Sequence, residues 1–168
     1  MNQLLYEHIV ADALREDLGM GDITTTSIFD KQQSSQGTFI AKAAGVIAGL
    51  DVISAVYHKL GGGVSINFHK KDGDSIKSGD IVASVEGPVQ MLLSGERVIL
   101  NLLQHMCGIA SSTRQLVDLL DDDTIAVVDT RKTLPGLRAI QKYAVTCGGG
   151  KNHRFRLDDA AMVKDNHI

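Results

Sequence analysis

Tryptophan is absent, and aromatic residues make up only 4% of the 168-residue chain. The core must therefore be built mainly from Leu, Ile, Val and Ala. Cysteine is also scarce. Cys107 and Cys147 lie far apart and outside any C-x-x-C spacing, a pattern that fits reduced cytosolic thiols better than a disulfide framework. No run reaches the roughly 18 apolar residues a membrane helix requires. The opening segment carries acids inside its apolar periodicity and has no basic n-region, which excludes a signal peptide. A soluble, cytoplasmic protein is the expectation. With 43% hydrophobic and 22% charged residues, the composition is globular and disorder is not the default.

A net charge of −3 argues against nonspecific nucleic-acid binding. Its distribution says more. Residues 129–168 hold eight Lys/Arg and four Asp/Glu, a local +4 that leaves −7 for residues 1–128. A basic segment in an acidic chain is a place for an anion.

Leu4, Ile9, Ala13 and Leu18 recur at helical spacing, and Gly19 and Gly21 end that helix. The β-branched, polar stretch Asp22–Ser27 reads as an extended link. Gly37–Lys42 reads as a strand, Gly45–Gly49 as a second strand or tight turn, 50–60 as a helix stopped by Gly61–Gly63, and Val64–Phe68 as a half-buried strand. Two turn signals between Lys71 and Asp80, then Ile81–Val85, look like the hairpins of lipoyl and biotinyl carrier domains. A carrier needs an exposed lysine at a hairpin tip beside Met or Ala. Lys71 and Lys77 lack that context, so the likeness is architectural.

A long helix is expected from Ser94, as its N-cap, through Leu120, with Val98, Ile99, Leu102, Leu103, Met106, Ile109 and Ala110 on one face. Asp121–Asp123 reads as a solvated turn. Thr124–Val128 and Ala160–Val163 are short apolar runs of the kind buried on both faces of a parallel sheet. A helix starting at Pro135 and ending at Gly148–Gly150 lies between them. Together they read as a βαβ unit.

Each expected strand ends in charge: Val128 leads to Asp129, Arg131 and Lys132, and Val163 to Lys164, Asp165 and His167. Active sites of parallel α/β folds lie at the carboxyl ends of strands. Arg131, Lys132 and Lys164 can therefore converge, with His153-Arg154 from the loop before the second strand. Clustered cations repel one another and require a counter-anion. A small dicarboxylate or a diphosphate ester would each suffice, and spacing does not choose between them.

Residues 129–168, DTRKTLPGLRAIQKYAVTCGGGKNHRFRLDDAAMVKDNHI, resemble the quinolinate phosphoribosyltransferase family almost continuously. SGERVILNLLQHMCGIAS (Ser94–Ser111), GPVQMLLSGER and LREDLGMGDITT resemble its earlier parts. Arg156 departs from it, where many members have Gly. The resemblance implies an α+β N-terminal sandwich domain followed by the start of an α/β (TIM-like) barrel domain, incomplete in this chain. Residues 1–23 would form a helix packing on the barrel domain, 24–108 the sandwich with its lipoyl-like hairpins, and 109–168 the first βαβ portion. The implied reaction joins quinolinate to phosphoribosyl pyrophosphate (PRPP), giving nicotinate mononucleotide, carbon dioxide and pyrophosphate in NAD biosynthesis.

The same resemblance implies that Thr130, Arg131, Lys132, His153, Arg154 and Lys164 hold the two quinolinate carboxylates. Arg97 would reach the partner's active site in a homodimer, and His167 is left out of the set. A catalytic role for Lys132 and Lys164, as cations beside the departing charge, is an expectation from the chemistry rather than from the resemblance. Mg²⁺ would accompany PRPP, with its ligands in a part of the family sequence beyond residue 168. The chain is accordingly expected to be a fragment, inactive alone. A related phosphoribosyltransferase-like protein with another substrate, such as the molybdenum-transport relative, is disfavoured by the intact Lys164-Asp-Asn-His167 and Asn152-His-Arg154 motifs. A noncatalytic lipoyl-like carrier or interaction domain is the remaining alternative.

Overall fold

The computed structural model describes residues 6–122 and 124–168. Helix α1 (Glu7–Leu18) turns Ile9, Val10 and Leu14 inward and stops at Gly19, whose φ is +53°. Leu4, expected on the same helix, lies outside the described residues. Residues 23–28 are not extended: they form a short helix, α2 (Ile23–Ile28). The Asp22 carboxylate overrides the β-branched propensity by accepting the Thr25 amide at 2.9 Å, an N-cap in front of three threonines.

Five strands follow: β1 (Ser34–Ile40), β2 (Gly45–Val46), β3 (Ser65–Phe68), β4 (Ser75–Ile76) and β5 (Ile81–Pro88), with helix α3 (Asp51–Lys59) between β2 and β3. β1, β5 and β3 form an antiparallel sheet with β5 central, and β2 pairs with β4. Two turns of like sequence, Lys71-Asp-Gly-Asp74 and Lys77-Ser-Gly-Asp80, join these layers. In each, the terminal aspartate accepts the amide of the lysine three residues earlier, at 2.9 and 3.1 Å. Gly73 and Gly79, both at φ +93°, donate their amides to the carbonyls of Ile47 and Ala41. These are the carrier-like hairpins of the sequence. Each lysine begins its turn, and the glycines occupy the bends.

Helix α4 (Val89–Leu120) is a single helix of 32 residues. It begins directly after Pro88, five residues before Ser94. Ser94 is therefore not its N-cap; its hydroxyl donates to Asp22 Oδ2 at 3.1 Å and ties α2 to α4. Val98, Ile99, Leu102, Leu103, Met106 and Ala110 are buried, at the i, i+3/i+4 spacing of one face. Against that face lie α3, through Val52, Ile53 and Val56, and β5, through Val82, Ala83 and Val85. α1 packs on α3 and α4. α4 also runs unbroken through residue 108.

Helix α5 (Arg138–Cys147) crosses α4 closely. A Cβ on Gly148 would lie 2.3 Å from the Ala110 carbonyl oxygen, so only glycine fits. α5 starts three residues after Pro135, which instead opens a turn with Gly136 at φ +81°. The expected βαβ unit is reduced to one parallel bridge, Val128↔Lys151. Residues 160–163 form no strand, and Met162 and Val163 are 48% and 73% exposed. Ile125 and Val128 are also more than half exposed. An apolar run becomes a doubly buried strand only when both its faces are covered. Here α5 and the end of α4 flank one side of the bridge, and none of the described residues buries 160–163.

Candidate functional site

The parallel bridge brings two cation-bearing segments side by side. Lys151 donates its amide to the Val127 carbonyl at 2.8 Å, and Asp129 donates its own to the Lys151 carbonyl at 3.2 Å. Beyond this pairing the chain diverges into Thr130–Thr133 on one side and His153–Phe155 on the other.

Asp129 sits at the fork. Its Oδ1 accepts the His153 amide at 2.9 Å and the ammonium of Lys142. Asn152, with its amide nitrogen turned toward acceptors, donates to Asp129 Oδ2 at 2.6 Å and to the Lys142 carbonyl at 2.8 Å. Lys142 is 1% exposed and the Asp129 side chain 7%. The ammonium also donates to the His153 carbonyl at 3.1 Å and lies 5.6 Å from the centroid of the Phe155 ring. A buried charge is tolerable only with a partner and filled hydrogen-bonding positions, and this one has both.

The expected site residues are placed as follows. Thr130 Oγ1 accepts the Lys132 amide at 3.0 Å, which turns the backbone back on itself. Thr130 and Lys132 line a pocket of about 230 Å³ with Ile109, Asp129, Thr133 and Gln141. Arg131 and Lys164 are not among its walls. The side chains of Arg131, Lys132, His153 and Lys164 are exposed. Arg154 folds onto its own loop: Nε donates to the Arg156 carbonyl at 3.0 Å and Nη2 to that of Leu157 at 2.7 Å. Lys164 precedes a 3-10 turn, Asp165–His167, and accepts the His167 amide at its carbonyl. Arg97 is exposed on α4. The structure thus brings together Thr130, Arg131 and Lys132 on one segment and His153 and Arg154 on its neighbour. No hydrogen bond links Lys164 or Arg97 to either among the described residues.

Three residues that hold this region were missed in the sequence: Lys142, Arg138 and Asn152. Arg138 and Lys142 stand one turn apart on the helix that follows the Asp129–Thr133 motif, but cations on such a helix ordinarily read as solvated. No group of three His, Cys, Asp or Glu among the described residues is arranged to hold a metal, and Asp129 is already engaged.

The fold and site define a two-part α/β protein with cations on two adjoining segments around one buried ion pair. Residues 22–107 match the family model for the N-terminal domain of quinolinate phosphoribosyl transferase, and residues 109–168 match that for its C-terminal domain. The chain belongs to the quinolinate phosphoribosyl transferase family. Among its relatives, the probable nicotinate-nucleotide pyrophosphorylase [carboxylating] of Bacillus subtilis is 48% identical over all 168 residues, which span 58% of that protein. The corresponding Mycobacterium leprae protein is 44% identical over 93% of this chain and 56% of its own. The crystal structure of NadC from Streptococcus pyogenes superposes with a TM-score of 0.96 at 47% identity, covering all of this chain and 60% of that one. The chain thus spans less than two thirds of the length of these relatives.

Proposed function

We propose that this chain contributes to phosphoribosyl transfer from PRPP to quinolinate with decarboxylation, giving nicotinate mononucleotide, carbon dioxide and pyrophosphate. One observation carries the reading: Arg131-Lys132 and His153-Arg154 stand on two segments locked together through Asp129. Two vicinal carboxylates on a rigid ring need two sets of donors at a fixed separation, and guanidinium groups supply paired hydrogen bonds to each. Thr130 and Lys164 complete the quinolinate-binding set, with Arg97 serving a second copy of the chain.

In the reaction, the pyridine nitrogen forms a bond to C1 of the ribose as the bond from C1 to pyrophosphate breaks. The sugar passes through a cation-like state, as in glycosyl transfer generally. No side-chain nucleophile is required, so orientation and electrostatics supply the rate. The C2–carboxylate bond then breaks, its electron pair stays on C2 beside the quaternised nitrogen, and C2 takes a proton. Lys132 and Lys164 are the cations assigned to these charge changes. Mg²⁺, as the partner of PRPP, would be held outside the residues described. A barrel-type second domain, a cytoplasmic location and a homodimer with shared sites belong to the same reading. The dimer is supported by the groove between β1, an edge strand, and α4, where Ile40 and Leu93 are 45% and 41% exposed.

Calorimetry with quinolinate on the full-length chain tests the proposal, with Arg154→Ala as control. Binding that Arg154→Ala abolishes is the expected result; absence of binding by the unaltered protein refutes it. Lys132→Ala should lower turnover far more than affinity, and unchanged turnover would remove Lys132 from the catalytic set.

A further inference from the structure

Helix α5 carries two cations, Arg138 and Lys142, four residues apart and hence on one face. Neither belongs to the set assigned to quinolinate, yet each bridges the same two segments. Lys142 donates to the Asp129 carboxylate on the first and to the His153 carbonyl, at 3.1 Å, on the second. Arg138 donates from Nε to Thr133 Oγ1 at 3.0 Å and from Nη2 to the Arg131 carbonyl at 3.5 Å, both on the first. Its Nη1 donates to the Phe155 carbonyl on the second at 3.2 Å. Lys142 holds the base of the fork and Arg138 its outer part.

Some such device is required. The ladder between the segments ends at the single bridge Val128↔Lys151. The exposed residues beyond it carry like charges, which repel at short range. Beyond it, no backbone–backbone hydrogen bond joins the two segments among the described residues. Gln141, on the same helix, accepts the Leu134 amide at 3.0 Å and steadies the first segment only. Arg138 and Lys142 span both.

We propose that Arg138 and Lys142 are positioning residues that fix the distance between Arg131-Lys132 and His153-Arg154, and thereby set the preference for a ligand with two adjacent carboxylates over one with a single carboxylate. This rests on the quinolinate reading above. A clamp of this kind acts on the spacing of donors, so it affects the dicarboxylate and leaves the other substrate alone. A merely structural ion pair would impair every ligand together.

The test uses the full-length chain with Arg138→Gln and Lys142→Met. Binding of pyridine-2,3-dicarboxylate and of pyridine-3-carboxylate is measured by calorimetry, folding by circular dichroism, and KM for both substrates in the steady state. Misplaced binding groups should cost about tenfold or more in dicarboxylate affinity and in its KM. The KM for PRPP should stay within about twofold of the unaltered protein. Discrimination against the monocarboxylate should collapse. Folded variants that bind the dicarboxylate normally overturn the proposal, as does a parallel rise in both KM values. If Lys142→Met does not fold, Arg138→Gln decides, since that side chain is partly exposed; failure of both to fold would make the pair a folding element and end the proposal. If the unaltered protein binds no dicarboxylate, the quinolinate reading falls and takes this one with it. Normal binding with unaffected variants sinks the clamp alone.

Discussion

Tyr143 of α5 donates its hydroxyl to Oδ2 of Asp72 at 2.6 Å, while Oδ1 of Asp72 accepts the amides of Gly49 and Leu50 at 2.9 and 3.1 Å. One carboxylate thus caps the start of α3 and anchors α5, from inside the first of the twin turns. Tyr143→Phe should destabilise the protein by about 1.5–3 kcal/mol, the cost of a hydrogen bond to a charged acceptor. Asp72→Ala should cost more, because the two amides lose their acceptor as well. Denaturant titration of both variants checks the order; equal stabilities would contradict it.

Alkaline pH should loosen the same junction. Burial first, and the hydrogen bond to Asp72 second, push the Tyr143 phenol above its ordinary value of 10.0. Burial, with Asp72 next, pushes the Cys147 thiol from 9.0 up to about 11. A group that holds its proton more tightly when folded contributes stability that is present below its unfolded pKa and lost as pH rises through the folded one. Stability should therefore decline from about pH 9 upward. At neutral pH Cys147 should react with thiol reagents far more slowly than a free cysteine, because the thiolate is the nucleophile. Rapid labelling of the native protein at pH 7 would contradict this.

At the other end of the scale, hydrogen bonds from Thr25, side chain and amide, and further from Ser94 hold the Asp22 carboxyl below its usual range. A lowered folded pKa gives stability that is present above the unfolded pKa and lost as pH falls through the folded value. The α2 cap should weaken in acid. Asp22→Ala should cost about 1 kcal/mol, as N-cap losses do, and Asp22→Asn much less, since the amide oxygen still accepts. Melting curves at pH 7 separate the two.

Gly148→Ala should be among the more damaging single-methyl changes. The added carbon meets the Ala110 carbonyl oxygen at 2.3 Å and the Thr113 Cβ at 2.6 Å, and backbone cannot step aside as a side chain can. A loss of about 1–3 kcal/mol or more is expected from such overpacking. A neutral result in thermal unfolding would show that α5 can slide on α4.

Strong periodicity made α3 and the buried face of α4 legible in the sequence, because seven apolar positions from Val98 to Ala110 repeat on one helical face. Local signals that serve two purposes misled. Ser94 is a good N-cap residue, yet its hydroxyl answers an aspartate 72 positions earlier. Asp22-Ile-Thr-Thr-Thr reads as extended until the aspartate is recognised as a cap. The runs Thr124–Val128 and Ala160–Val163 have the composition of buried strands, but burial depends on neighbours that composition does not contain. Within the candidate site, Asp129 to Lys132 stood out as charge after an apolar run, and His153-Arg154 as a basic pair in the loop before the next one. Lys142 was not, because a lysine amid the residues of an ordinary helix reads as solvated. Only the fold reveals that it points at Asp129.

The unbroken course of α4 carries an implication for how sequences of this kind can vary in length. Each residue added to a helix turns everything after it by about 100°, given 3.6 residues per turn. One inserted residue between Leu103 and Ala110 would swing Ser111 away from the Val46 amide that it accepts and carry Tyr143 of α5 away from Asp72. Length changes should instead collect in Gly61–Gly63, where an extra residue only lengthens a surface loop.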